Sequence, residues 1–188
     1  MPPEPGRILK PTRIAAEVVI RLCRAEDLEA LEWFGQFRHH RQIFADAFAR
    51  HERGENIMLV ADLAGFPVGQ AWVDLTKRRA ESIGYIWAVR VFGFLRNLGI
   101  GTQLVQCAEE LLAQRGYATA ELGVEKTNPR ARQLYERLGY AVVDEKASEY
   151  SYVTPDGVEA RHIVDHWVLQ KRLPAVDVGA ADDNGDAS

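Results

Sequence analysis

The chain has 188 residues, 47% of them hydrophobic and 27% charged, the balance of an ordinary globular protein with one domain and a sizeable core. A formal net charge of −4 argues against nucleic acid as a partner, because neutralising phosphates needs a net basic face. No apolar run approaches the roughly 18 residues of a membrane-spanning helix, and the proline-rich start lacks the apolar stretch of a secretory signal, so a cytoplasmic protein without a membrane partner is expected.

Residues 1–15 read as a flexible leader and 16–173 as the folded domain. Residues 174–188 carry Asp177, Asp182, Asp183 and Asp186 and no basic residue, so they read as a disordered acidic tail. Cys23 and Cys107 lie far apart without metal-ligand spacing; they are expected as buried, reduced thiols, with no metal site.

Residues 17–23 form a short β-branched strand. Asp27 is placed to cap a helix through Leu28, Leu31 and Trp33. Residues 39–53 read as a second helix with Ile43, Phe44, Ala47 and Phe48 on one face. A hairpin follows, with strands at 57–63 and 68–75 around a turn at Ala64, Gly65, Phe66 and Pro67. After a polar break at 78–81, residues 83–91 form a strand apolar enough to be buried on both faces.

Residues 99–115 are the clearest helix, with Leu104, Ala108, Leu111 and Leu112 as its stripe and Gly116 as its stop. A strand at 119–124 precedes a helix at 129–138, with Asn128 as N-cap, Pro129 at its first position and Gly139 at its end. Two last strands, 140–152 and 162–169, flank a turn at 154–157. The pattern is an α/β domain with a mixed sheet.

The segment between the strand at 83–91 and the long helix is Phe92, Gly93, Phe94, Leu95, Arg96, Asn97, Leu98, Gly99, Ile100, Gly101. Gly99 and Gly101 let backbone approach a ligand closely. The helix start offers unpaired N–H groups and a partial positive charge, which suits a pyrophosphate, and Arg96 and Thr102 add donors. By itself RxxGxG is a weak motif. A P-loop is excluded because GxxxxGK[ST] is missing. A dinucleotide-binding reading fits poorly: Leu104 stands where its third glycine belongs and the loop is long, although Glu125 sits where its ribose acid would be.

Asn128, Ala131, Leu134, Tyr135, Gly139 and Tyr140 add a second signature, N-x-x-A-x-x-L-Y-x-x-x-G-Y, one strand after the glycine helix. With both signatures in this order the chain resembles the GNAT N-acetyltransferases over roughly residues 18–170. The resemblance implies a GNAT-like mixed, mostly antiparallel sheet with splayed central strands and flanking helices, and acetyl-CoA as cosubstrate. Val89, Arg90 and Val91 would hold the pantetheine arm and acetyl group by backbone contacts, with an N–H near Val89 polarising the thioester. Arg96, Asn97, Leu98, Gly99, Ile100, Gly101 and Thr102 would cradle the pyrophosphate, Asn128 would contact the arm as well as cap its helix, and Tyr135 would protonate the departing thiolate. A phenol near pKa 10 is suited to re-protonate a thiolate whose acid lies near 8.5.

The general base is not legible in the sequence. Ribosomal-protein N-terminal acetyltransferases carry a Glu five residues before the Asn, where this chain has Gly123. The central strand offers Tyr85 and Trp87 instead of a carboxylate. Glu81, Asp74, His39, His40, His162 and His166 remain as candidates, beside a base acting through ordered water. The resemblance also puts the acceptor site between the first two helices and the last hairpin, contributing Trp33, Phe34, Phe37, His39, His40, Tyr150 and Tyr152. An aromatic-lined pocket would suit a small amine or a peptide end with an apolar neighbour; the expected acceptor is a small-molecule amine. Alternatives are a protein N-terminus or lysine, or a CoA-binding regulatory module without turnover; a homodimer is also compatible.

Overall fold

A computed structural model describes residues 15–153 and 158–175, with backbone alone for 149–153, 159, 160 and 162. The expected leader up to residue 14, the turn at 154–157 and the acidic tail from residue 176 lie outside the described residues.

One seven-stranded sheet organises the chain. Its strands are β1 (Val18–Leu22), β2 (Asn56–Leu63), β3 (Phe66–Arg78), β4 (Ile83–Val91), β5 (Thr119–Glu125), β6 (Ala141–Val153) and β7 (Glu159–Arg172), in the order β1-β2-β3-β4-β5-β7-β6. Only β4 and β5 run parallel; every other neighbouring pair is antiparallel. The helices are α1 (Asp27–Ala30), α2 (Arg41–Glu52), α3 (Ile100–Gln114) and α4 (Pro129–Arg137).

Helices α3 and α4 cover one face of the sheet. Leu104, Ala108 and Leu112 of the expected stripe are fully buried against β2, β3 and β4. Leu112 seats so closely on β4 that a Cβ at Gly84 would lie 2.0 Å from its Cδ2, so only glycine fits under this helix. Helices α1 and α2 cover the other face, where Leu31, Phe44, Ala47, Met58, Val60 and Trp72 form a second core cluster. Cys23 is buried there and its thiol is pushed up to about 12 by that burial; Cys107 is free but only partly buried.

Helix α1 is shorter than expected. It ends at Ala30 because Trp33, Phe34 and Gly35 take positive φ of 45°, 58° and 88°, which no α-helix tolerates. The bend is pinned by the Trp33 indole N–H, which donates to Pro67 O at 2.8 Å. Asp27 starts the helix rather than preceding it, and its carboxylate accepts from Arg24 N and from Arg21. The expected second helix starts instead as a 3₁₀ turn over Arg38–His40 before α2.

Candidate functional site

The central strands part company midway. β4 and β5 pair only from Ile83–Thr119 to Ile86–Leu122. Beyond that point β4 follows β3, while β5 follows β7 as far as the Glu125–His166 pair. A bulge on β4 accompanies the separation. Gln70 pairs with Arg90 and Trp72 with Trp87, which leaves both Ala88 and Val89 opposite Ala71. Ala88 sits at φ 52°, an unfavourable backbone for a residue with a Cβ. The fully buried Gln70 holds it, donating its amide to Ala88 O at 3.1 Å.

This parting corrects the expectation that the whole strand at 83–91 is buried. Ile83, Gly84 and Ile86 are, but Trp87 through Val91 are partly exposed because their partner on one side has left. Phe92 N–H donates to Val68 O at 2.7 Å. Strand alternation then aims the backbone of Arg90 at β3 and leaves the N–H and C=O of Val89 and Val91 toward the gap.

The gap is a cleft of about 220 Å³ lined by Trp87, Ala88, Val89, Gly123, Asn128 and Tyr135, among others. Asn128 caps α4 as expected, its Oδ1 accepting from Ala131 N at 3.1 Å. Tyr135 is 6% exposed and its hydroxyl makes no hydrogen bond within the described residues. Burial raises its phenol to about 12, so it remains protonated throughout the physiological range.

At the far end of β4 lies the glycine loop. Gly99 takes φ 84° as the N-cap of α3 and Asn97 takes φ 66°. Among the described residues, none of the backbone N–H groups of Asn97, Leu98, Gly99, Ile100, Gly101 and Thr102 has a hydrogen-bond acceptor. A run of six unpaired donors at a helix start is a cradle for an anion. Arg96 flanks it, its Nε on Val91 O at 3.3 Å. Arg130 of α4, not singled out in the sequence, reaches the same loop and donates to Asn97 Oδ1 at 3.1 Å.

On the opposite face of the sheet a second cavity, of about 170 Å³, is lined by Tyr85, Gly123, Glu125, Ser148, Val164 and His166. Both cavities touch Gly123, the first residue of β5 beyond its pairing with β4. A Cβ built there would lie 3.1 Å from His166 Cδ2 and 3.3 Å from the Tyr85 hydroxyl. The imidazole from β7 thus stands where a side chain at Gly123 would project. His166 Nδ1 is 3.1 Å from Ser148 Oγ and 3.3 Å from the Val164 carbonyl oxygen. A carbonyl only accepts, so these contacts assign the proton to Nδ1 and leave the Nε2 lone pair on the cavity side.

The candidate bases sort accordingly. Asp74 is bound by Arg50 and by Thr76 and Lys77 N–H groups. Glu81 is exposed and paired with Arg78. His40 packs against Phe37 and Phe44 and is pushed down to about 4 by burial, His39 and Arg90. His39 stands beside it on the surface turn. The side chains of His162, Tyr150 and Tyr152 lie outside the described part. Of the six, His166 is the one whose side chain is shown at the fork of the strands. Glu121, two residues earlier on β5, is occupied by Arg78 and by Gln170 Nε2 at 2.7 Å.

Of the aromatic residues expected around the acceptor, Trp33, Phe34, Phe37, His39 and His40 are described, and they lie close together. The Trp33 ring centroid is 5.4 Å from those of Phe37 and Phe92, and Phe34 stacks on Phe66 while 86% exposed. The Arg90 guanidinium lies among them, 4.0 Å from the Phe37 centroid.

Known proteins share this fold. Residues 22–140 match the profile of the Acetyltransferase (GNAT) family. A mycothiol acetyltransferase from Acidimicrobium ferrooxidans is 34% identical over 85 residues, 45% of this chain; the chain spans only 27% of that relative's length. Two crystal structures share the fold. A ribosomal-protein-alanine N-acetyltransferase from Brucella melitensis has TM-score 0.65 and 20% identity, covering 82% of this chain and 99% of that one. The PaiA N-acetyltransferase from Thermoplasma acidophilum in complex with coenzyme A has TM-score 0.63 and 15% identity, covering 83% and 99%. With a profile match over most of the domain, a mixed sheet that parts between β4 and β5, and a glycine loop opening α3, the chain belongs to the Acetyltransferase (GNAT) family.

Proposed function

We propose that this protein is an acetyl-CoA-dependent N-acetyltransferase that moves an acetyl group to the primary amine of a small molecule. The observation that carries the reading is the meeting of two cavities, one between the parted strands and one on the α2 side, at Gly123 and Glu125. A donor entering from the α3 side and an acceptor entering from the α2 side reach each other there without displacing a side chain.

The residues present fit acetyl-CoA. The six unpaired N–H groups from Asn97 to Thr102, with Arg96 and Arg130, hold the pyrophosphate. Val89 and Val91 offer their backbone to the pantetheine arm as a neighbouring strand would, and Asn128 lies along the same cleft. Acetyl-CoA supplies a thioester carbon open to attack by an amine. Val89 N–H takes the charge that builds on the carbonyl oxygen, a contribution typically worth ~3 kcal/mol.

His166 Nε2 takes the proton that the incoming amine must lose, and Tyr85 shares its side of the fork. Glu125 lines the same cavity and favours a cationic amine there. Tyr135 faces the leaving sulfur from the other side. With its phenol at about 12, complete transfer to a thiolate of ordinary basicity is uphill by roughly 5 kcal/mol. Tyr135 therefore acts as a hydrogen-bond donor to the sulfur as charge develops.

The acceptor cavity, about 170 Å³, accommodates a small amine. The hairpin of β6 and β7 reaches the turn at Arg38–His40 and closes one side of this face. The test is thiol release from acetyl-CoA with a panel of small amines, amino acids and peptides, beside calorimetry of CoA binding. Turnover with small amines supports the reading. Turnover confined to peptides makes this a protein acetyltransferase, and binding without turnover makes it a CoA-binding module.

A further inference from the structure

Arg90 is an anomaly among the partly buried cations of this protein. Arg21 is paired with Asp27 and Asp62, Arg50 with Asp74, Arg78 with Glu121 and Lys171 with Glu109. Arg90 has no carboxylate partner and its guanidinium makes no hydrogen bond among the described residues; its Nε is fully buried and unsatisfied. Burial alone acts on it, pulling its pKa down to about 10. A buried cation without an anion is costly. Glu32, next to Trp33, is taken by Arg41.

The surroundings define what is missing. Phe37, Phe44 and Trp33 place their ring centroids 4.0, 5.3 and 5.7 Å from the Arg90 guanidinium carbon. Rings stacked on a guanidinium cover its faces and hold it in one plane. Its two terminal nitrogens are neither hydrogen-bonded among the described residues nor among the sealed atoms, so one edge of the fork stays open. A flat fork with a free edge matches a planar anion bound through two parallel hydrogen bonds.

Position decides which reactant brings that anion. Arg90 projects to the α2 face, with the second core cluster, whereas the glycine loop serves the α3 side. It follows Ile86, the last β4 residue paired with β5, by four residues, about 13 Å along a strand. An arginine side chain reaching back along the strand and a small molecule can together bridge that span, with the amine at the fork.

The geometry points to Arg90 as the anchor for a carboxylate on the acceptor, so that the amine acetylated here belongs to an amino acid or a similar amino carboxylate. This rests on the acetyl-transfer reading above and narrows its substrate class. The rings of Trp33, Phe34 and Phe37 would then lie beside the rest of that molecule.

The experiment compares pairs that differ only in the carboxylate, such as phenylalanine with phenethylamine, tryptophan with tryptamine and glutamate with 4-aminobutyrate. In the wild-type protein kcat/KM should favour the amino acid of at least one pair by 30-fold or more. Arg90→Met keeps the length and stacking of the side chain and removes the fork; the preference should collapse to within threefold, mostly through KM. Arg90→Lys should recover only part of it, since a point charge replaces a bidentate contact. Melting temperatures of both variants establish that they fold.

A direct binding arm does not depend on turnover. Calorimetry with an N-acetyl amino acid in the presence of CoA should show binding to wild type and a loss of at least 30-fold in Arg90→Met. Wild-type preference for the decarboxylated amines, or a preference that survives in Arg90→Met, would overturn the assignment. So would a loss of CoA affinity in Arg90→Met, which would put the anion on the cosubstrate. An absence of turnover with every amine, while N-acetyl amino acids still bind through Arg90, would overturn the acetyl-transfer reading and leave the anion site standing.

Discussion

The hydroxyl of Tyr85 and the imidazole of His166 converge on one glycine, although their strands are not neighbours in the sheet. Tyr85 rises from β4 and His166 from β7, and β5 lies between them with Gly123 as the low point over which both lean. A polar pair is thereby brought to the spot where the parallel strands separate.

Gly123→Ala should test that placement. The added methyl would press on His166 at 3.1 Å and Tyr85 at 3.3 Å, closer than an ordinary carbon contact, so both groups must shift. Catalytic groups displaced by about 1 Å can lose ~10²-fold in rate. Expected are a kcat lowered at least tenfold, unchanged CoA affinity and a melting temperature within a few degrees of wild type.

Gly101→Asp separates binding from folding. A Cβ at Gly101 would meet Val91 Cγ2 at 3.6 Å, an ordinary contact, so the fold accepts it. A carboxylate in the first turn of α3 also suits the helix dipole. The same charge faces the cradle of N–H groups and repels a pyrophosphate there. Calorimetry should show CoA affinity reduced by at least ~10²-fold, with a melting temperature equal to or above wild type.

Tyr135→Phe should lower kcat by about 10²-fold, the usual cost of removing one donor to developing charge, and leave acetyl-CoA affinity nearly intact. Because the Tyr135 hydroxyl has no hydrogen-bond partner within the described residues, the melting temperature should not fall. Steady-state kinetics beside thermal melts decide it. Full activity with a lowered melting temperature would make Tyr135 a packing residue.

How much of this was legible beforehand follows the range of the interactions. The helix cap at Asn128, the glycine stop at Gly116 and the loop into α3 are local, and each stands where the residue pattern put it. The early end of α1 was hidden because the left-handed run at Trp33 and Phe34 depends on a hydrogen bond to Pro67, 34 residues away. The bulge at Ala88 depends on buried Gln70, on the neighbouring strand. Gly123 read as a missing carboxylate. That His166 occupies its surroundings required the β5–β7 register, which no short-range pattern encodes. Arg130 escaped notice because its link to Asn97 crosses 33 residues, from the first turn of α4 to the glycine loop.

Stability should show one acid-linked component at Asp74. Burial opposes ionisation there, but the Arg50 guanidinium and the N–H groups of Lys77 and Thr76 outweigh it and hold the carboxyl at about 2. Its folded pKa is below the unfolded value of ~3.9, so its contribution is complete above pH 4 and is lost as pH falls toward 2. Asp74→Asn should be less stable by roughly 2 kcal/mol near pH 6, and most of that gap should close by about pH 2. Urea melts of both proteins across that range give the comparison.

The measurement that bears most directly on acetyl transfer at the strand fork is the kinetics of His166→Ala with an accepted amine, without and with added imidazole. Removing the base should lower kcat by 10²–10⁴-fold while CoA affinity stays within about twofold, since His166 lies on the acceptor side. The vacated space beside Gly123 should admit free imidazole and restore part of the rate in a concentration-dependent way. A variant that keeps kcat within threefold of wild type, or whose lost rate imidazole does not restore, would contradict the role given to His166 at this fork.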